Sequence, residues 1–308
     1  SVTSVTDKNA AISKLYRLTG ISELRNDAMT ISDTTNAANV SGILSKTSGV
    51  VTATVTSDTA ASLNSALTNT TGNDALTLTV TGTAAATDLT ALDGKTSVNV
   101  GATAVTTITG TQAQVVAINV GTITTSGNYA VTLSDTSLSA AAIKTVNTQN
   151  GTGAIDISSV TTITSSTAAD VLEIVNNTNS TFTTAANYAV TLSGISSASD
   201  VNTIVNDTTG IVTATVTEAT AASLNSALAN ASSTDALTLT LTDTALASAD
   251  DLIALDGKTS VTVNAGSVTS VTDTYADINT LYGLSGISGL GNEAVTISDT
   301  TNATNVNG

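Results

Sequence analysis

Thr54-Val55-Thr56 is the stretch of sequence that decides the fold, because its pattern of one aliphatic residue between two hydroxyl residues recurs along the whole chain. The eleven copies of this pattern have as their central residues Ile31, Val55, Val80, Ile108, Leu133, Ile163, Leu192, Val216, Leu241, Val271 and Ile297. The copies are 24 to 30 residues apart. Because a repeat of about 20 to 50 residues is typical of solenoids, propellers and other arrays, the pattern predicts a repeat protein.

Longer matches show how the array is organised. Residues 267–308 repeat residues 1–42 at an offset of 266, and VTATVT at 51–56 returns at 212–217. The offset of 266 residues holds ten turns, so an average turn has about 27 residues. We therefore predict one continuous array over residues 1–308, with about eleven turns and without capping repeats at its ends.

Each turn contains the pattern of a strand followed by the pattern of a helix. Residues 76–81 alternate aliphatic residues with threonine, which predicts a strand with one buried face. The Ala-rich stretches that follow such strands carry aliphatic pairs three or four residues apart, such as Leu63 and Leu67, which share one helix face. A short second strand is predicted in three turns, at Val98 and Val100, Ile155 and Ile157, and Val261 and Val263.

These patterns favour a β/α solenoid. Its parallel β-sheet has one strand per turn of about 27 residues, and short helices lie on the other side. The alternative is an all-β parallel β-helix, in which the Ala-rich stretches form further strands.

Composition disfavours nucleic acid and membranes as partners. The chain has 24 acidic and 8 basic residues, a net charge of −16, which disfavours nucleic acid and anionic membrane surfaces as partners. No apolar run approaches the roughly 18 residues of a transmembrane helix, so membrane insertion is not expected. The chain lacks an initiator Met and a signal peptide, and we expect it to be a mature or internal portion.

The absence of His and Cys excludes a histidine-based triad, a cysteine nucleophile and an ordinary zinc site. Carboxylate pairs remain, and the nearest candidates are Asp250 with Asp251, and Asp74 or Asp235 in matched loops. We expect these acids to act as helix caps and turn residues, and we do not expect the protein to be an enzyme.

Calcium is the one cofactor that the sequence suggests. Carboxylate and hydroxyl oxygens are the ligands that Ca²⁺ prefers, and a ladder of acids at equivalent strand exits supplies them. The alternative role for these acids is simple capping of helix N-termini. The ladder consists of Asp33, Asp135, Asp243, Asp273 and Asp299.

The outward threonines form the most regular surface that the sequence predicts. They are Thr54, Thr56, Thr79, Thr81, Thr107, Thr109, Thr215, Thr217, Thr240 and Thr242. Such a grid resembles the surface of β-solenoid ice-binding proteins, although serine replaces threonine at five of the 22 flanking positions of the repeat. The other interpretations are a neutral outer face or a surface that a neighbouring chain covers.

Basic residues are concentrated in the first repeat, at Lys8, Lys14, Arg17 and Arg25, whereas the matching residues of the last repeat are uncharged. Acidic residues are denser near the other end of the sequence, at Asp235, Asp243, Asp250, Asp251 and Asp256. The pattern suggests a head-to-tail or lateral contact between copies through the four basic residues. Drift between repeats is the alternative explanation.

The composition, the xVTxSDT strands, the TAASLN helices and the LDGKTSV turns resemble the very large repetitive cell-surface proteins of bacteria, cyanobacteria among them. The resemblance covers the whole chain. It implies secretion to the cell surface, a structural role such as a surface-layer component, filament subunit or adhesin stalk, and no catalytic residues.

We therefore predict an extracellular structural protein that assembles with further copies of itself into a filament or surface lattice. The alternative is an adhesin, or an ice- or glycan-binding solenoid, in which the threonine face contacts the ligand.

Overall fold

A computed structural model describes residues 2–19, 24–118, 121–177 and 180–302. The last six residues of the predicted repeat at 267–308 lie outside this described part. The described helices are α1 (Asn9–Leu15), α2 (Ala37–Leu44), α3 (Ala60–Ala66), α4 (Ala86–Asp93), α5 (Gln112–Ala117), α6 (Ala140–Gln149), α7 (Ala168–Val175), α8 (Ala198–Asp207), α9 (Ala221–Ala227), α10 (Ala249–Asp256) and α11 (Tyr275–Gly283).

The described strands alternate with these helices. They are β1 (Ser4–Asp7), β2 (Ala28–Ile31), β3 (Val51–Thr54), β4 (Ala75–Thr77), β5 (Thr79–Ala85), β6 (Val100–Gly110), β7 (Ile123–Thr125), β8 (Ala130–Leu133), β9 (Ser137–Leu138), β10 (Ile155–Ile157), β11 (Thr162–Ser166), β12 (Phe182–Thr184), β13 (Ala189–Ser196), β14 (Val212–Val216), β15 (Ala236–Thr238), β16 (Leu246–Ser248), β17 (Val263–Asn264), β18 (Ser270–Asp273), β19 (Ile287–Ser288) and β20 (Ala294–Ile297).

The chain forms two compact units. The first unit comprises Ser1–Asp135, Ala142–Ser159 and Asn179–Thr183, and the second comprises Thr136–Ala141, Val160–Thr178 and Thr184–Gly308. The first contains a sheet of order β1-β2-β3-β4 and a sheet of order β12-β10-β8-β6-β5 with β7 beside β6. The second contains sheets of order β15-β14-β13-β11-β9, β16-β18-β20 and β17-β19. The protein is thus an α/β fold with several parallel sheets and short helices.

The Ala-rich stretches are helices, so the all-β alternative is wrong. Helix α1 begins at Asn9 and α11 begins at Tyr275, 266 residues later, which gives ten intervals of about 27 residues. Helices of 6 to 10 residues are too short to persist alone in water, so burial of their aliphatic face must hold them. Leu63 of α3 and Leu224 of α9 provide this face and are almost completely buried.

Hydroxyl and amide side chains explain where most of the helices begin. Each accepts a hydrogen bond from the backbone N–H three residues further on, which satisfies one of the free donors of a helix N-terminus. Thr111 and Gln114 form a reciprocal capping box at α5. The other residues that cap in this way are Asn36, Thr59, Thr167, Ser197, Thr220 and Thr274.

The prediction of one strand per turn, with a short second strand in three turns, is confirmed in part. Second strands are present as β10 and β17, whereas at Val98 and Val100 there is the single strand β6, which begins at Val100. Of the ten intervals between described helices, six contain more than one strand. The extended run bends within a turn, and the bends coincide with residues of positive φ. Gly82 (φ 76°), Ser165 (φ 27°) and Gly194 (φ 72°) each lie at a shift in strand register. A glycine tolerates positive φ because it lacks Cβ, so Gly82 and Gly194 allow β5 and β13 to shift register while each remains one strand.

The central residues of the eleven repeats are buried, except for the half-buried Ile297, but they do not lie opposite one another. Ile108 pairs with Val131 instead of Leu133, and Ile163 pairs with Val190 instead of Leu192. Val271 likewise pairs with Val295 instead of Ile297. In all three cases the partner lies two residues before the central residue of the next repeat. A shift of two keeps every side chain on its face, so the burial is as expected while the partners differ.

Candidate functional site

The aspartates predicted to form a calcium ladder bind the backbone of the preceding repeat. In four of the five, a carboxylate oxygen accepts a hydrogen bond from the N–H of the first residue of the preceding helix. The bonds are Asn9 to Asp33 (2.7 Å), Gln112 to Asp135 (2.7 Å), Ala221 to Asp243 (2.8 Å) and Tyr275 to Asp299 (2.8 Å). Capping, the other role given for these acids, is therefore observed at four of them, and the capped helix belongs to the neighbouring repeat.

The fifth aspartate, Asp273, makes the same kind of contact with more donors. Its Oδ2 accepts from the Ser248 hydroxyl at 2.9 Å and from the N–H of Asp250 at 3.2 Å. Ser166 shows that a hydroxyl can replace the carboxylate, because its Oγ accepts the N–H of Ala140, the first residue of α6, at 2.8 Å. A negative charge at a helix N-terminus also interacts favourably with the helix dipole. These residues thus link successive repeats; we call them inter-repeat caps.

One group of carboxylates in the described part of the chain is close enough to hold a metal ion. Asp250, Asp273 and Asp277 have oxygens within 4.8 Å of one another, and we call them the acidic cluster. Asp273 is the only member of the predicted calcium set in this cluster. Carboxylate oxygens suit Ca²⁺ or Mg²⁺, but exposed acidic groups of this kind are also common without a bound ion.

Two members of the acidic cluster have pKa values that are shifted in opposite directions, upward for Asp250 and downward for Asp273. The charges of Asp273 and then Asp277 raise the pKa of Asp250, with smaller contributions from burial and from Asp251. Burial alone would raise the pKa of Asp273 too. Hydrogen bonds from the Ser248 hydroxyl and from the backbone N–H groups of Asp250, Thr274 and Ala249 outweigh burial and lower the pKa of Asp273. Asp273 is therefore stabilised as a carboxylate, whereas Asp250 carries the repulsion.

Asp74 and Asp235, which the sequence offered as catalytic candidates, are buried structural residues. Oδ1 of Asp74 accepts the N–H of Val51 at 2.9 Å, and Oδ1 of Asp235 accepts the N–H of Val212 at 3.1 Å. The other oxygen of each accepts a local N–H, from Thr71 and Ser232 respectively. Each carboxylate therefore joins one strand to the preceding repeat, and its two oxygens are occupied. Such a residue is poorly placed for acid–base chemistry on a substrate.

Two lysines make a contact between repeats that the sequence reasoning missed. Lys95 Nζ donates to the carbonyls of Asn64 (3.1 Å) and Leu67 (2.5 Å), and Lys258 Nζ donates to the carbonyl of Leu228 (2.9 Å). Lys95 follows α4 and binds the C-terminal end of α3. Lys258 follows α10 and binds the C-terminal end of α9. The signal for this contact in the sequence is the lysine in the duplicated segment ALDGKTSV, at 91–98 and 254–261.

The same duplicated segments carry further matched contacts. Asn64 Nδ2 donates to Asp88 Oδ1 at 3.1 Å, and Asn225 Nδ2 donates to Asp251 Oδ1 at 2.8 Å. The Thr96 hydroxyl accepts the N–H of Leu76 at 2.9 Å. Thr259 accepts the N–H of Leu237 at 2.9 Å in the same way. The duplication therefore preserves a whole set of bonds between repeats, not only an apolar pattern.

The predicted threonine face is on the surface but is not one aligned grid. Thr54, Thr56, Thr79, Thr215, Thr217 and Thr242 are exposed, and Thr81, Thr107, Thr109 and Thr240 are half-buried. In the described strand pairs no two of these ten lie opposite each other. Thr54 instead pairs with Thr77, and Thr215 pairs with Thr238. The exposed threonines thus form short rows on single pairs of strands.

The four basic residues of the predicted assembly contact, Lys8, Lys14, Arg17 and Arg25, are all exposed. Arg17 lines a cleft of about 430 Å³ between α1 and α2, and its cationic neighbour in the lining is Lys46, which was not predicted. Tyr16 and Asn39 also line this cleft. Of the five acids suggested as counterparts, Asp235, Asp243 and Asp251 accept bonds within the chain, whereas Asp250 belongs to the acidic cluster.

A second, polar cleft of about 430 Å³ lies between the loop at 206–210 and the loop at 230–235. Amide and hydroxyl side chains line it, among them Asn206, Asn230 and Thr234. Groups of this kind can bind sugar hydroxyls, but the residues that line this cleft include no aromatic side chain for stacking.

Comparison with protein-family models, with curated proteins and with solved structures gives no match to this chain. Within the described part of the chain, no helix has the length and apolar character needed to cross a membrane.

Proposed function

We propose that this protein is a structural β/α solenoid that assembles with further copies of itself into a filament or surface lattice. The observation that carries the proposal is the set of inter-repeat caps. Asp33, Asp135, Asp243 and Asp299 each use a carboxylate to fasten the following repeat to the preceding helix.

Unpaired strand edges support assembly. Among the described residues, β1 pairs only with β2, and β20 pairs only with β18. The free edge of each strand presents N–H and C=O groups that can accept a further strand. That strand can come from another repeat or from a second copy.

The location at the cell surface rests on the resemblance to repetitive bacterial surface proteins. A net charge of −16 and a surface of Thr, Ser, Asn and Asp suit an exposed structural protein. Calcium enters the proposal at one place only, the acidic cluster of Asp250, Asp273 and Asp277. If Ca²⁺ and EDTA leave the thermal midpoint and the assembly unchanged, the calcium part of the proposal is wrong.

Assembly can be tested with the purified chain of residues 1–308. Sedimentation velocity over a concentration series should show growth beyond the monomer, and negative-stain microscopy should show filaments or sheets. A chain that stays monomeric at the highest soluble concentration, and appears as dispersed particles, would contradict the proposal.

The second candidate is a binding surface for ice or glycan. The paired exposed threonines, Thr54 with Thr77 and Thr215 with Thr238, favour it. Thermal hysteresis and ice shaping would support ice binding, and loss of both in Thr54→Lys with Thr215→Lys would assign it to this face. Glycan-array binding by the unmodified chain would support an adhesin.

A further inference from the structure

The cleft between α1 and α2 concentrates positive charge in a chain that has little of it. Arg17 follows α1 and Lys46 follows α2, so the two cations enter the cleft from the C-terminal ends of adjacent helices. Both side chains are exposed, and no carboxylate is among the residues that line the cleft. With only eight basic residues in the whole chain, two in one cleft make a local site for an anionic group.

The acidic cluster in the second unit has the complementary character. Asp250, Asp273 and Asp277 bring three carboxylates within 4.8 Å, and the charged groups that act on Asp250 are all carboxylates. Asp273 and Asp277 also accept hydrogen bonds from Ser248 and Thr274, which fix their positions. Asp250 is exposed and projects from the first turn of α10, so it is the member that a second molecule can reach.

We propose that the cleft between α1 and α2 of one copy receives the acidic cluster of a second copy. This inference rests on the proposed function of self-assembly, and it names the surfaces that meet. Because the two surfaces differ, the contact is heterologous, and repetition of a heterologous contact that does not close into a ring gives a filament.

Charge favours a second copy over other anionic partners. A polyanion such as nucleic acid would meet the field of a chain with net charge −16. A copy of this chain meets the same field, but it offers a fixed group of carboxylates that matches two fixed cations. Complementary charges of this kind set specificity and register more than raw affinity.

The test uses charge reversal with matched controls. Arg17→Glu with Lys46→Glu reverses the cleft, and Lys8→Glu with Lys14→Glu makes the same change of charge at two residues of the first repeat that do not line it. Asp250→Lys reverses the exposed member of the cluster. Its control is Glu218→Lys, which changes the charge equally at an exposed residue outside the cluster. Sedimentation velocity measures the assembly of each variant, and circular dichroism checks its fold.

We expect the cleft variant and Asp250→Lys each to weaken assembly by about tenfold or more, relative to their controls. Mixing the two variants should give a 1:1 dimer and no filament, because the native cleft of one meets the native cluster of the other while the two reversed surfaces block further growth. If the cleft variant assembles as its control does, or mixing gives no dimer, the inference is wrong while the proposed function stands. If the unmodified chain does not assemble, both are wrong. Should the reversed cleft fail to fold, Arg17→Gln with Lys46→Gln applies the same test by neutralisation.

Discussion

At the scale of single residues, the main structural feature is an aspartate that caps the helix of the preceding repeat. Helix α1 shows the effect clearly. The side chain of its own N-cap residue, Lys8, makes no capping bond, and Asp33 of the next repeat supplies an acceptor for Asn9. One carboxylate therefore completes a helix and joins two repeats at once.

Replacing such a carboxylate should destabilise the chain. Asp243→Ala removes the acceptor for the Ala221 N–H, and loss of a helix cap typically costs about 1 kcal/mol in the free energy of unfolding. Urea denaturation followed by circular dichroism measures the change. Glu218→Ala is the control, because it removes the same charge from an exposed side chain near the same helix. Equal effects of the two variants would mean that net charge, and not the cap, is responsible.

The acidic cluster should make stability depend on pH in two opposite ways. The pKa of Asp273 lies below its unfolded value of about 4, so its stabilisation is present above that pH and is lost as the pH falls through the lowered pKa. The pKa of Asp250 is raised, so its ionised form costs stability, and protonation relieves this cost as the pH falls.

Two variants separate these effects in urea denaturation between about pH 2 and pH 7. Asp273→Ala should lower stability at neutral pH and reduce the loss in acid. Asp250→Asn should raise stability at neutral pH and make no difference at the acid end. A loss of stability at neutral pH in Asp250→Asn would contradict the assignment of repulsion to this residue.

At the scale of elements, the alternation of strands and helices could be predicted from sequence, but strand partners could not. Periods of two and of three to four residues reveal which face of an element is buried, and the buried Val80 and Leu63 follow these periods. Ile108 pairs with Val131, two residues before Leu133, the central residue of the next repeat. Because a slip of two residues preserves the buried face, the hydrophobic pattern does not reveal it.

The inter-repeat caps could be predicted only in part, for a related reason. The positions of Asp33 and Asp243 at strand exits were visible in the sequence, but the helix that each one caps depends on the register between repeats. The bends at Gly82 and Gly194 change that register locally. Spacing in the sequence does not contain this information.

The lysines at helix C-termini should stabilise pairs of helices. Lys95→Met and Lys258→Met each remove a cation that binds the last carbonyls of the preceding helix, α3 or α9. Interactions of a cation with a helix C-terminus contribute about 0.3–1 kcal/mol, and we expect thermal midpoints to fall accordingly. Lys14→Met is the control, since Lys14 lies in the last turn of its own helix and is exposed. If Lys14→Met lowers the thermal midpoint as much as Lys95→Met does, the effect comes from a cation and the dipole of its own helix, and not from a contact between repeats.

At the scale of the whole molecule, the two copies of the duplicated segment lie in different units. The bonds of Asp74 and Lys95 belong to the first unit, and those of Asp235 and Lys258 belong to the second. In repeat proteins each repeat depends mainly on its neighbours, so a lesion should act locally. The division into two units was not evident from the sequence, because the repeat pattern is similar in both.

Hydrogen exchange can test this locality. Asp243→Ala should raise amide exchange in α9, whose first N–H it uncaps, and leave α1 and α2 of the first unit unchanged. Mass spectrometry of peptides from both units measures the difference. Equal loss of protection in the two units would show that the chain opens as a single cooperative body.

The inter-repeat caps also set the order in which repeats can become complete during synthesis. A ribosome makes Asn9 before Asp33, and 24 residues separate the donor from its acceptor. At about 5–20 residues per second, the wait is roughly 1–5 s, and every helix capped in this way has a similar delay. Each newly made repeat thus caps the helix of the repeat before it. Folding of the array should therefore lag behind synthesis by one repeat.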